Sequence, residues 1–340
     1  MKKDIKQNEI WGSSLRIFPW DKKGSITEVE SLISNTLLEW YKEKHRSPSL
    51  KELQLLNSLE KNSCPYCGSA QFIKKGFYKN GLQRYSCKDC SKYFSPITNT
   101  IFEGKKIPIS EWIEYLIHLF EFHSIKSSAR DNRNAESTGR YWLIKVFEIL
   151  KNIQADVILE GNIYLDETYF PVVKSKIKTK NGKRLRGISR NRIGVCMAFD
   201  DHDHYLMIVE NTSKPSDRSA WNAVGKHIKP GSTLIHDGER SHGILIRKLN
   251  LKSRVYKTEE IKKLSDNENP LDPINKLHAL AKRFMKAHGG YNRDNLQDWM
   301  NVIWFIVSKP DHRLEKIEKF INLALNSPKR VRYREVMCHK

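Results

Sequence analysis

The sequence of 340 residues lacks any long hydrophobic run. Its longest apolar stretch, Trp299–Val307, reaches about half of the ~20 residues that a membrane-spanning helix needs, and Asn301 interrupts it. No apolar segment follows the N-terminal residues Met1–Asp4, so we expect no secretory signal. These absences argue against a membrane or exported protein, and we expect a cytoplasmic protein without a membrane partner.

Acidic residues are also scarce. The chain has 39 Asp and Glu residues against 60 Lys and Arg residues, which leaves a formal net charge of +21. Such an excess favours a polyanionic partner, and nucleic acid is the first candidate. The hydrophobic share of 39% and the aromatic share of 10% are those of a folding chain, which excludes disorder for its bulk. The length fits two or three domains of ordinary size.

Cysteine is rare, yet the placement of the six cysteines is informative. Four of them form the pairs Cys64–Cys67 and Cys87–Cys90, which are separated by 19 residues. Without an export signal disulfides are disfavoured, and two CxxC pairs predict a zinc ion held tetrahedrally by four thiolates. The predicted zinc ligands are Cys64, Cys67, Cys87 and Cys90. Cys196 and Cys338 stand alone, and we expect core or tail positions for them.

The two cysteine pairs lie in a segment that we predict to be a zinc ribbon, residues 61–100. Asn80-Gly81 lies midway between the pairs and predicts a type I′ hairpin turn. The turn would connect strands over Phe72–Tyr78 and Leu82–Ser86. Ahead of the ribbon, residues 1–60 are predicted to form a helical extension, with a capping box of Ser25 and Glu28 and a short helix near Leu50–Leu59.

Residues 105–152 have the pattern of three helices, over Glu111–Phe122, Ile125–Asp131 and Ala135–Leu150. Such a trio fits a helix-turn-helix that docks in the major groove of DNA. Arg140 and Lys145 would then lie on the DNA-facing side of the third helix. A small helical bundle without a DNA partner has the same pattern, so the residues leave both interpretations open.

Residues 158–310 predict an α/β domain with a mixed sheet. Strand-like segments over Asn162–Val173, Arg192–Phe199 and His204–Val209 are followed by alternating helices and strands. Between the first two strands, residues 174–192 hold nine Lys or Arg residues and no acid. So pure a block favours contact with phosphates, although a charge run is often only a solvated face. The predicted DNA-binding residues of this insertion are Lys174, Lys176, Lys178, Lys180, Lys183, Arg184 and Arg186.

Two aspartates interrupt apolar strands of this domain. Asp166 lies within Ile163–Phe170, and strand alternation places it on the face opposite Leu165 and Glu167. A carboxylate in such a strand is costly unless it is paired or metal-bound. Asp237 ends a second apolar strand. Two aspartates on adjacent strands of one sheet can hold divalent cations for phosphoryl transfer, although strand-end aspartates also commonly cap turns.

A third polar group lies on the helix that begins at Asp272-Pro273. There Asn275, His278 and Lys282 have the spacing i, i+3 and i+7, which places them on one helical face. Taken alone, this stripe indicates a solvent-facing surface. Combined with the two aspartates, it indicates a candidate active site.

These features together resemble the insertion-sequence transposases that carry an N-terminal zinc ribbon (ISXO type), within the DDE group and its Asp-Asp-Asn-Lys variant. The resemblance covers roughly residues 10–310 and follows the order of zinc ribbon, helical DNA-binding segment and three motifs. The motifs are Leu165-Asp-Glu-Thr-Tyr, Ile235-His-Asp-Gly and Ile274-Asn-Lys-Leu-His-Ala-Leu-Ala-Lys-Arg-Phe284, followed by Gly289-Gly290 and Trp299–Phe305.

The resemblance implies an α/β chain of several domains (multidomain α+β) with an RNase H-like catalytic domain. The catalytic residues that it implies are Asp166, Asp237, Asn275 and Lys282. The first three of these would bind Mg²⁺ or Mn²⁺. Members of this family carry either Glu or Asn at the third position, and here the usual Glu is absent, which leaves the third metal ligand open. His278 is the first substitute for Asn275 as that ligand, and Glu268 and Asp272 are more distant ones. His278 and Glu167 are auxiliary candidates.

Transposases of this kind cut the ends of their own element and join the freed 3′ hydroxyls to a target. The resemblance therefore implies double-stranded DNA as the partner, structural Zn²⁺, a homodimer or larger synaptic assembly, and a prokaryotic, nucleoid-associated location. Residues 311–340 would add a C-terminal helix and a basic tail.

Two other functions stay open at this point. A DNA-binding regulator with an inactive catalytic domain would keep the ribbon and the helix-turn-helix, and the missing Glu at the third position favours it. A stand-alone RNase H-like nuclease would explain Asp166 and Asp237 but leave the N-terminal modules unexplained.

Overall fold

The computed structural model describes residues 28, 48–104, 107–132, 134–171, 192–210, 214–265, 268–289, 291 and 294–337. The chain divides into two compact units, residues 1–144 with 321–340 and residues 145–320. Ser25, which is predicted to begin the first capping box, and residues 174–191 of the basic insertion lie outside the described residues. No helix in the described part is long and apolar enough to cross a membrane.

Helix α1 (Leu50–Ser58) precedes the cysteine-rich segment in the first unit, as predicted. Its N-cap is Ser49, whose Oγ accepts a 3.1 Å hydrogen bond from the amide of Glu52. The Asn57 side chain joins α1 to the following hairpin, because it accepts from the amide of Gln83 at 2.8 Å and donates to the carbonyl of Gly81 at 3.0 Å.

Three antiparallel strands follow, in the order β1 (Phe72–Phe77), β2 (Gln83–Cys87) and β3 (Tyr93–Phe94). The hairpin lies where the sequence predicts it, but the predicted type I′ turn is wrong. Gly81 has a φ of +81°, whereas Asn80 is not among the described residues with positive φ. The Gly81 amide donates to the carbonyl of Tyr78 at 2.9 Å, so one left-handed glycine closes a three-residue loop.

Three helices complete this part of the chain: α2 (Ile109–Phe120), α3 (Ile125–Asp131) and α4 (Glu136–Leu150). Trp112 and Trp142 stack with their ring centroids 4.5 Å apart. Gly139 permits close approach of α4 to α3, since a Cβ at this position would lie 2.9 Å from the Cβ of Ala129. The predicted trio of helices is confirmed.

The second unit contains a five-stranded sheet in the order β6-β5-β4-β7-β8. The strands are β4 (Asn162–Pro171), β5 (Arg192–Asp200), β6 (Tyr205–Val209), β7 (Thr233–His236) and β8 (Lys252–Val255). The first three strands are antiparallel neighbours, β7 runs parallel to β4, and β8 runs parallel to β7. This arrangement is the mixed sheet that the sequence predicts.

Helices connect and cover this sheet. They are α5 (Asp217–Val224), α6 (Gly243–Leu249), α7 (Thr258–Ile261), α8 (Asp272–Ala287) and α9 (Leu296–Val307). Short 3₁₀ turns at Gly225–His227 and Arg240–His242 adjoin α5 and α6. The buried core combines strand residues such as Leu165 and Leu234 with Val224 and Leu245 from these helices. Cys196 lies fully buried in the same core, as predicted for a lone cysteine.

Side chains from outside the sheet form hydrogen bonds with backbone groups of the edge strand β6. Gln154 accepts a 2.7 Å hydrogen bond from the amide of Met207 and donates to its carbonyl at 3.1 Å. Gln297 accepts from the amide of Val209 at 2.8 Å, and Trp304 Nε1 donates to the carbonyl of Tyr205 at 2.5 Å. These contacts close an edge that would otherwise offer free backbone groups to another strand.

The chain ends in α10 (Arg313–Asn326), which confirms the predicted C-terminal helix, and α11 (Tyr333–Met337). Within the first unit, Tyr141 Oη donates to the carbonyl of Val331 at 2.6 Å. The segment that links α10 to α11 is therefore hydrogen-bonded to α4.

Candidate functional site

The four predicted zinc ligands lie together at one end of the ribbon. Cys64 Sγ is 3.7 Å from Cys90 Sγ, Cys67 Sγ is 3.6 Å from Cys87 Sγ, and all four sulfurs lie within 4.8 Å of one another. The backbone amides of Cys90 and Asp89 lower the pKa of the Cys87 thiol to about 7. Four sulfurs at this spacing could supply the donor set of a structural zinc site.

Asp166 and Asp237 lie side by side in the second unit. Strands β4 and β7 are parallel and pair Tyr164 with Ile235. Asp166, two residues further along β4, is therefore level with Asp237, which directly follows β7. The structure thus brings together the two aspartates that the sequence predicts to cooperate.

The electrostatics of Asp166 reflect this proximity. Burial, and then the negative charges of Asp237 and Glu167, raise the pKa of Asp166 to about 7. Only 23% of its side chain is exposed. Carboxylates held this close in a partly dry site resist joint ionisation unless a cation is shared between them.

Helix α8 places His278 against Asp166. The Nδ1 atom of His278 lies 3.8 Å from Oδ2 of Asp166. Burial, and then the charge of Lys282, lower the pKa of His278 to about 4, so its imidazole is neutral at pH 7. Its Nε2 atom is buried and has no hydrogen-bond partner among the described residues.

The polar stripe predicted on α8 is divided between two environments. His278 is buried with Leu277 and Ala281, whereas Asn275 and Lys282 are exposed. The structure therefore brings His278 into contact range of Asp166 and leaves the other two side chains on the surface. The helix ends at Ala287, slightly before the predicted glycines.

A buried polar chain lies on the opposite face of β4. Glu167 Oε1 is 3.0 Å from His242 Nε2, and His242 Nδ1 is 3.0 Å from His236 Nδ1. The Glu167 side chain is 3% exposed and that of His242 is fully buried. Because Glu167 and His236 are the sequence neighbours of Asp166 and Asp237, this chain links the two positions that carry the aspartates.

The hydrogen bonds indicate where the protons of this chain lie. The amide of Gly238 donates to His236 Nδ1 at 3.2 Å, so this nitrogen is an acceptor and His242 Nδ1 must donate to it. His236 Nε2 then donates to Ser253 Oγ at 3.1 Å. The ring of His242 thus lies between two acceptors, the Glu167 carboxylate and His236 Nδ1, an arrangement that favours its protonated form.

The pKa shifts agree with this assignment. Burial opposes protonation of His242, but its hydrogen bond to Glu167 and the charge of that carboxylate raise the pKa of His242. Burial, and then the charge of His242, lower the pKa of His236 to about 4. Both shifts favour a charged His242 paired with Glu167 and a neutral His236, and one carboxylate oxygen of Asp237 lies within 4.8 Å of a ring nitrogen of each histidine.

Local patterns in the sequence do not indicate three further polar residues near this site, His236, His242 and Glu210. Glu210 follows β6, and burial, then the charge of Glu167, raise its pKa to about 7. Nothing in the residues around Glu210 indicates this proximity, because β6 and β4 are separated in the sheet by β5.

The distant substitutes for the third ligand make local contacts. Ser265 Oγ donates to the Glu268 carboxylate at 2.7 Å, and Lys276 pairs with Asp272 at 2.6 Å. Both carboxylates are thus engaged by their own neighbours.

The predicted DNA-binding residues fall into three groups. Arg140 is exposed and pairs with Glu136 at 2.7 Å. Lys145 is only 2% exposed, so its predicted place on a DNA-facing surface is wrong. Its position on α4 is turned inward, as are Trp142 and Val146. The residues from Lys174 to Arg186 lie outside the described residues.

Lys145→Met should stabilise the protein at neutral pH. Burial lowers the pKa of Lys145 to about 8, so below that pH the folded state holds a poorly solvated ammonium. Folding then releases protons between about pH 8 and 10.5, and wild-type stability rises across this window. We expect a gain of roughly 1–3 kcal/mol at pH 7 that shrinks toward pH 10.

Urea unfolding at pH 7 and near pH 10 measures this gain. The matched control is Lys126→Met, because Lys126 is exposed on α3, and it should change stability by less than about 0.5 kcal/mol at either pH. An equal gain for both variants, or a loss for Lys145→Met, contradicts the assignment of Lys145 as a buried cation.

Comparison with known proteins gives one relative in sequence. The chain is 24% identical over 253 residues to an uncharacterised protein of the transposable element ISH50 from Halobacterium salinarum, across 70% of this chain and 83% of the relative. No protein-family model matches the chain.

Solved structures show weak similarity. The Mos1 strand transfer complex matches with a TM-score of 0.27 and 12% identity, over 65% of this chain and 78% of the other. The simian T-cell lymphotropic virus intasome in complex with the B56 gamma subunit of PP2A matches with a TM-score of 0.29 and 8% identity. That match covers 44% of this chain and 48% of the intasome chain, so this chain spans about half of the intasome chain's length. These TM-scores are too low to support an argument from fold.

Proposed function

We propose that the chain is the DNA transposase of an insertion sequence, with an RNase H-like catalytic domain of the DDE group in its Asp-Asp-Asn-Lys variant. The observation that carries the proposal is the pair Asp166 and Asp237, level on neighbouring parallel strands, with the pKa of Asp166 raised to about 7. The sheet order, three antiparallel strands followed by two parallel ones, is compatible with that fold. The similarity to a protein of a transposable element supports the same function.

The residues around Asp166 fit a divalent metal ion such as Mg²⁺ or Mn²⁺. Carboxylate oxygens are the donors that these ions prefer, and two carboxylates are held together here against their mutual repulsion. Asp166 and Asp237 would hold the metal, with Asn275 or the buried, unpartnered Nε2 of His278 as the third ligand. When bound, the metal stabilises charge on the attacking and leaving oxygens of an in-line displacement at phosphorus.

Other residues of the chain would orient the DNA and the carboxylates. Lys282 is exposed on α8 and close enough to lower the pKa of His278, so its ammonium would hold a phosphate oxygen of the bound strand. The buried Glu167–His242 pair would keep the two aspartate-bearing positions at a constant spacing. In the first reaction water would attack a phosphorus atom and displace the 3′ oxygen, which leaves as a 3′ hydroxyl. In the second, that hydroxyl would attack the phosphorus of a target phosphodiester and displace the 3′ oxygen of the target strand.

The N-terminal modules would supply recognition. The zinc ribbon and the helices α2–α4 would bind the terminal inverted repeats, and the insertion 174–192 would contact the DNA backbone or the target. Because two ends must be cut and joined, the working form would be a homodimer or a larger synaptic assembly in the cytoplasm, at the nucleoid.

DNA that carries the sequences flanking the gene tests the proposed function. The full chain is incubated with this DNA and with Mg²⁺ or Mn²⁺, and the products are resolved on denaturing gels. We expect metal-dependent nicks at defined end positions and joining of the 3′ ends to a target. Binding without any cutting under both metals would contradict the proposal and favour a regulator.

Metal binding should compete with protons at Asp166. Because the pKa of Asp166 is raised to about 7, an incoming ion must displace a proton at lower pH. The affinity for Mn²⁺ should therefore rise roughly tenfold per pH unit below about pH 7 and level off above it. Calorimetric titration across this range measures the slope. Asp166→Asn is the control that should lose it, and a wild-type affinity independent of pH contradicts the ligand role.

A further inference from the structure

The sheet of the zinc ribbon has two faces of different character. On the inner face, the rings of Phe72, Tyr85 and Phe94 pack with centroids 5.1 to 5.6 Å apart, beside the buried sulfurs. Neighbouring residues of a strand point to opposite faces. The cross-strand row of Ile73, Ser86 and Tyr93 therefore lies on the other side of the sheet.

We define this outer face as Ile73, Tyr78, Arg84, Ser86 and Tyr93; Ile73 and Tyr93 are exposed, and the other three residues are half-buried. The side chain of Tyr93 is 54% exposed and that of Ile73 is 41% exposed. Ser86 lies between them in the register and leaves a shallow gap in the row. The exposed ring of Tyr93 and the side chain of Ile73 thus lie on the same side of the sheet, where a ligand can reach both.

Arg84 is held in place at the centre of the outer face. Its guanidinium carbon lies 5.3 Å from the ring centroid of Tyr93 and 6.0 Å from that of Tyr78. Its Nε donates to the carbonyl of Lys75 at 3.0 Å. The planar group is thus ordered before any ligand binds, which reduces the entropy lost on binding.

The charge of the ribbon fits a polyanion. Residues 61–94 contain a single acidic residue, Asp89. The basic residues of the same segment are Lys61, Lys74, Lys75, Lys79, Arg84, Lys88 and Lys92. Aromatic rings within a basic surface are the features with which proteins bind unpaired nucleotides, because bases stack on the rings while cations contact the phosphates.

We infer that the outer face of the ribbon binds unpaired nucleotides of DNA. The bases of a duplex are stacked on one another, so a duplex could contact this face only through its phosphates and the basic side chains. Unpaired bases can also stack on the ring of Tyr93 and the guanidinium plane of Arg84. The inference rests on the proposed function, since strand cleavage at an element end creates termini whose nucleotides can leave the duplex.

Binding to a fluorescein-labelled oligothymidylate of about 15 nucleotides tests the inference with the full, zinc-loaded chain. Fluorescence anisotropy is measured at about 150 mM salt without added divalent cations, and a duplex of equal length is measured in parallel. Tyr93→Leu keeps apolar bulk but removes the ring, and should weaken oligothymidylate binding about 5- to 100-fold. Duplex binding should stay unchanged.

Two further variants separate stacking from charge. Tyr93→Phe retains the ring and should bind oligothymidylate like the wild type. Arg84→Lys keeps the charge but loses the plane, and should weaken oligothymidylate binding more than duplex binding. Equal weakening of both DNA forms, or no change for Tyr93→Leu, overturns the inference. A shift of the oligomeric state in Tyr93→Leu also overturns it, because the face would then contact a second copy of the chain.

The outcome is distinguishable from a failure of the proposed function. If the wild type binds oligothymidylate through Tyr93 but cuts no DNA under either metal, the inference stands and the transposase proposal falls. If DNA is cut and joined while Tyr93→Leu binds oligothymidylate normally, only the inference falls.

Discussion

Asp166→Asn is expected to abolish metal-dependent strand cleavage while DNA binding persists. The substitution keeps the size of the side chain but removes one of the two carboxylates that are level on β4 and after β7. Metal-assisted stabilisation at phosphorus is worth several kcal/mol, and each 1.36 kcal/mol changes a rate tenfold. Cleavage should therefore fall by at least about 1000-fold. The substitution leaves the basic residues of the chain unchanged, so affinity for DNA should be retained.

The same variant should be more stable than the wild type when no metal is bound. The pKa of Asp166 is raised from its ordinary value of 3.8 to about 7, so the folded state favours the protonated carboxyl. Folding takes up a proton in this window, and wild-type stability falls as the pH rises from about 4 to 7. Asparagine has no charge to bury, so at pH 8 the free energy of unfolding of Asp166→Asn should exceed that of the wild type by an amount on the order of 1–3 kcal/mol.

Activity lost together with stability gained is the result that distinguishes a functional carboxylate from a structural one. Cleavage assays and urea unfolding at pH 8 measure the two properties on the same preparation. Asp203→Asn is the matched control, because Asp203 lies in the turn between β5 and β6 with 54% of its side chain exposed. It should change neither property. An Asp166→Asn variant that still cuts DNA would remove Asp166 from the catalytic set.

Local patterns in the sequence were sufficient to predict the strands that carry the two aspartates. The β4 segment is largely apolar and aromatic around the charged pair Asp166-Glu167, and Leu234-Ile235 of β7 precede His236-Asp237, so both strands could be predicted with their aspartates. The same two pairs held a further signal. Adjacent residues of a strand lie on opposite faces, so a polar pair on each of two neighbouring strands predicts a polar cluster on both sides of the sheet.

Other features depend on contacts that no local pattern contains. The spacing of Asn275, His278 and Lys282 placed them on one face of α8, but which edge of that face is buried depends on how the helix packs. His278 is turned toward Asp166, and the other two are exposed. The burial of Lys145 could not be predicted from local patterns either, because its long aliphatic stem suits a buried position as well as a surface one.

Cys87→Ser is expected to remove zinc from the protein and to unfold the ribbon. Within the described residues, the buried core around the cysteines consists of Cys64, Tyr85, Cys87 and Phe94, which is too small to hold a fold by itself. Structural zinc sites contribute about 10–16 kcal/mol of apparent binding free energy at pH 7, which is then folding free energy. A serine oxygen in place of the Cys87 thiolate is a weak zinc ligand, so most of that contribution is lost.

Zinc content by elemental analysis and limited trypsin digestion together measure this effect. We expect about one zinc per wild-type chain, near none in the variant, and new cleavage at lysines and arginines of residues 61–94. Cys196→Ala is the matched control, since it removes a buried thiol outside the four-sulfur cluster and should leave the zinc content unchanged. Full zinc content in Cys87→Ser would show that the four sulfurs are not the metal site.

The same variant tests whether the ribbon and the sheet that carries Asp166 have separate functions. The four sulfurs belong to the first compact unit, whereas Asp166 and Asp237 belong to the second. If the ribbon serves recognition, Cys87→Ser should lose cutting at defined end positions, while metal-dependent nicking of DNA without sequence preference persists. Loss of both activities would instead mean that catalysis needs the folded ribbon, and that recognition and cleavage are not separate properties of this chain.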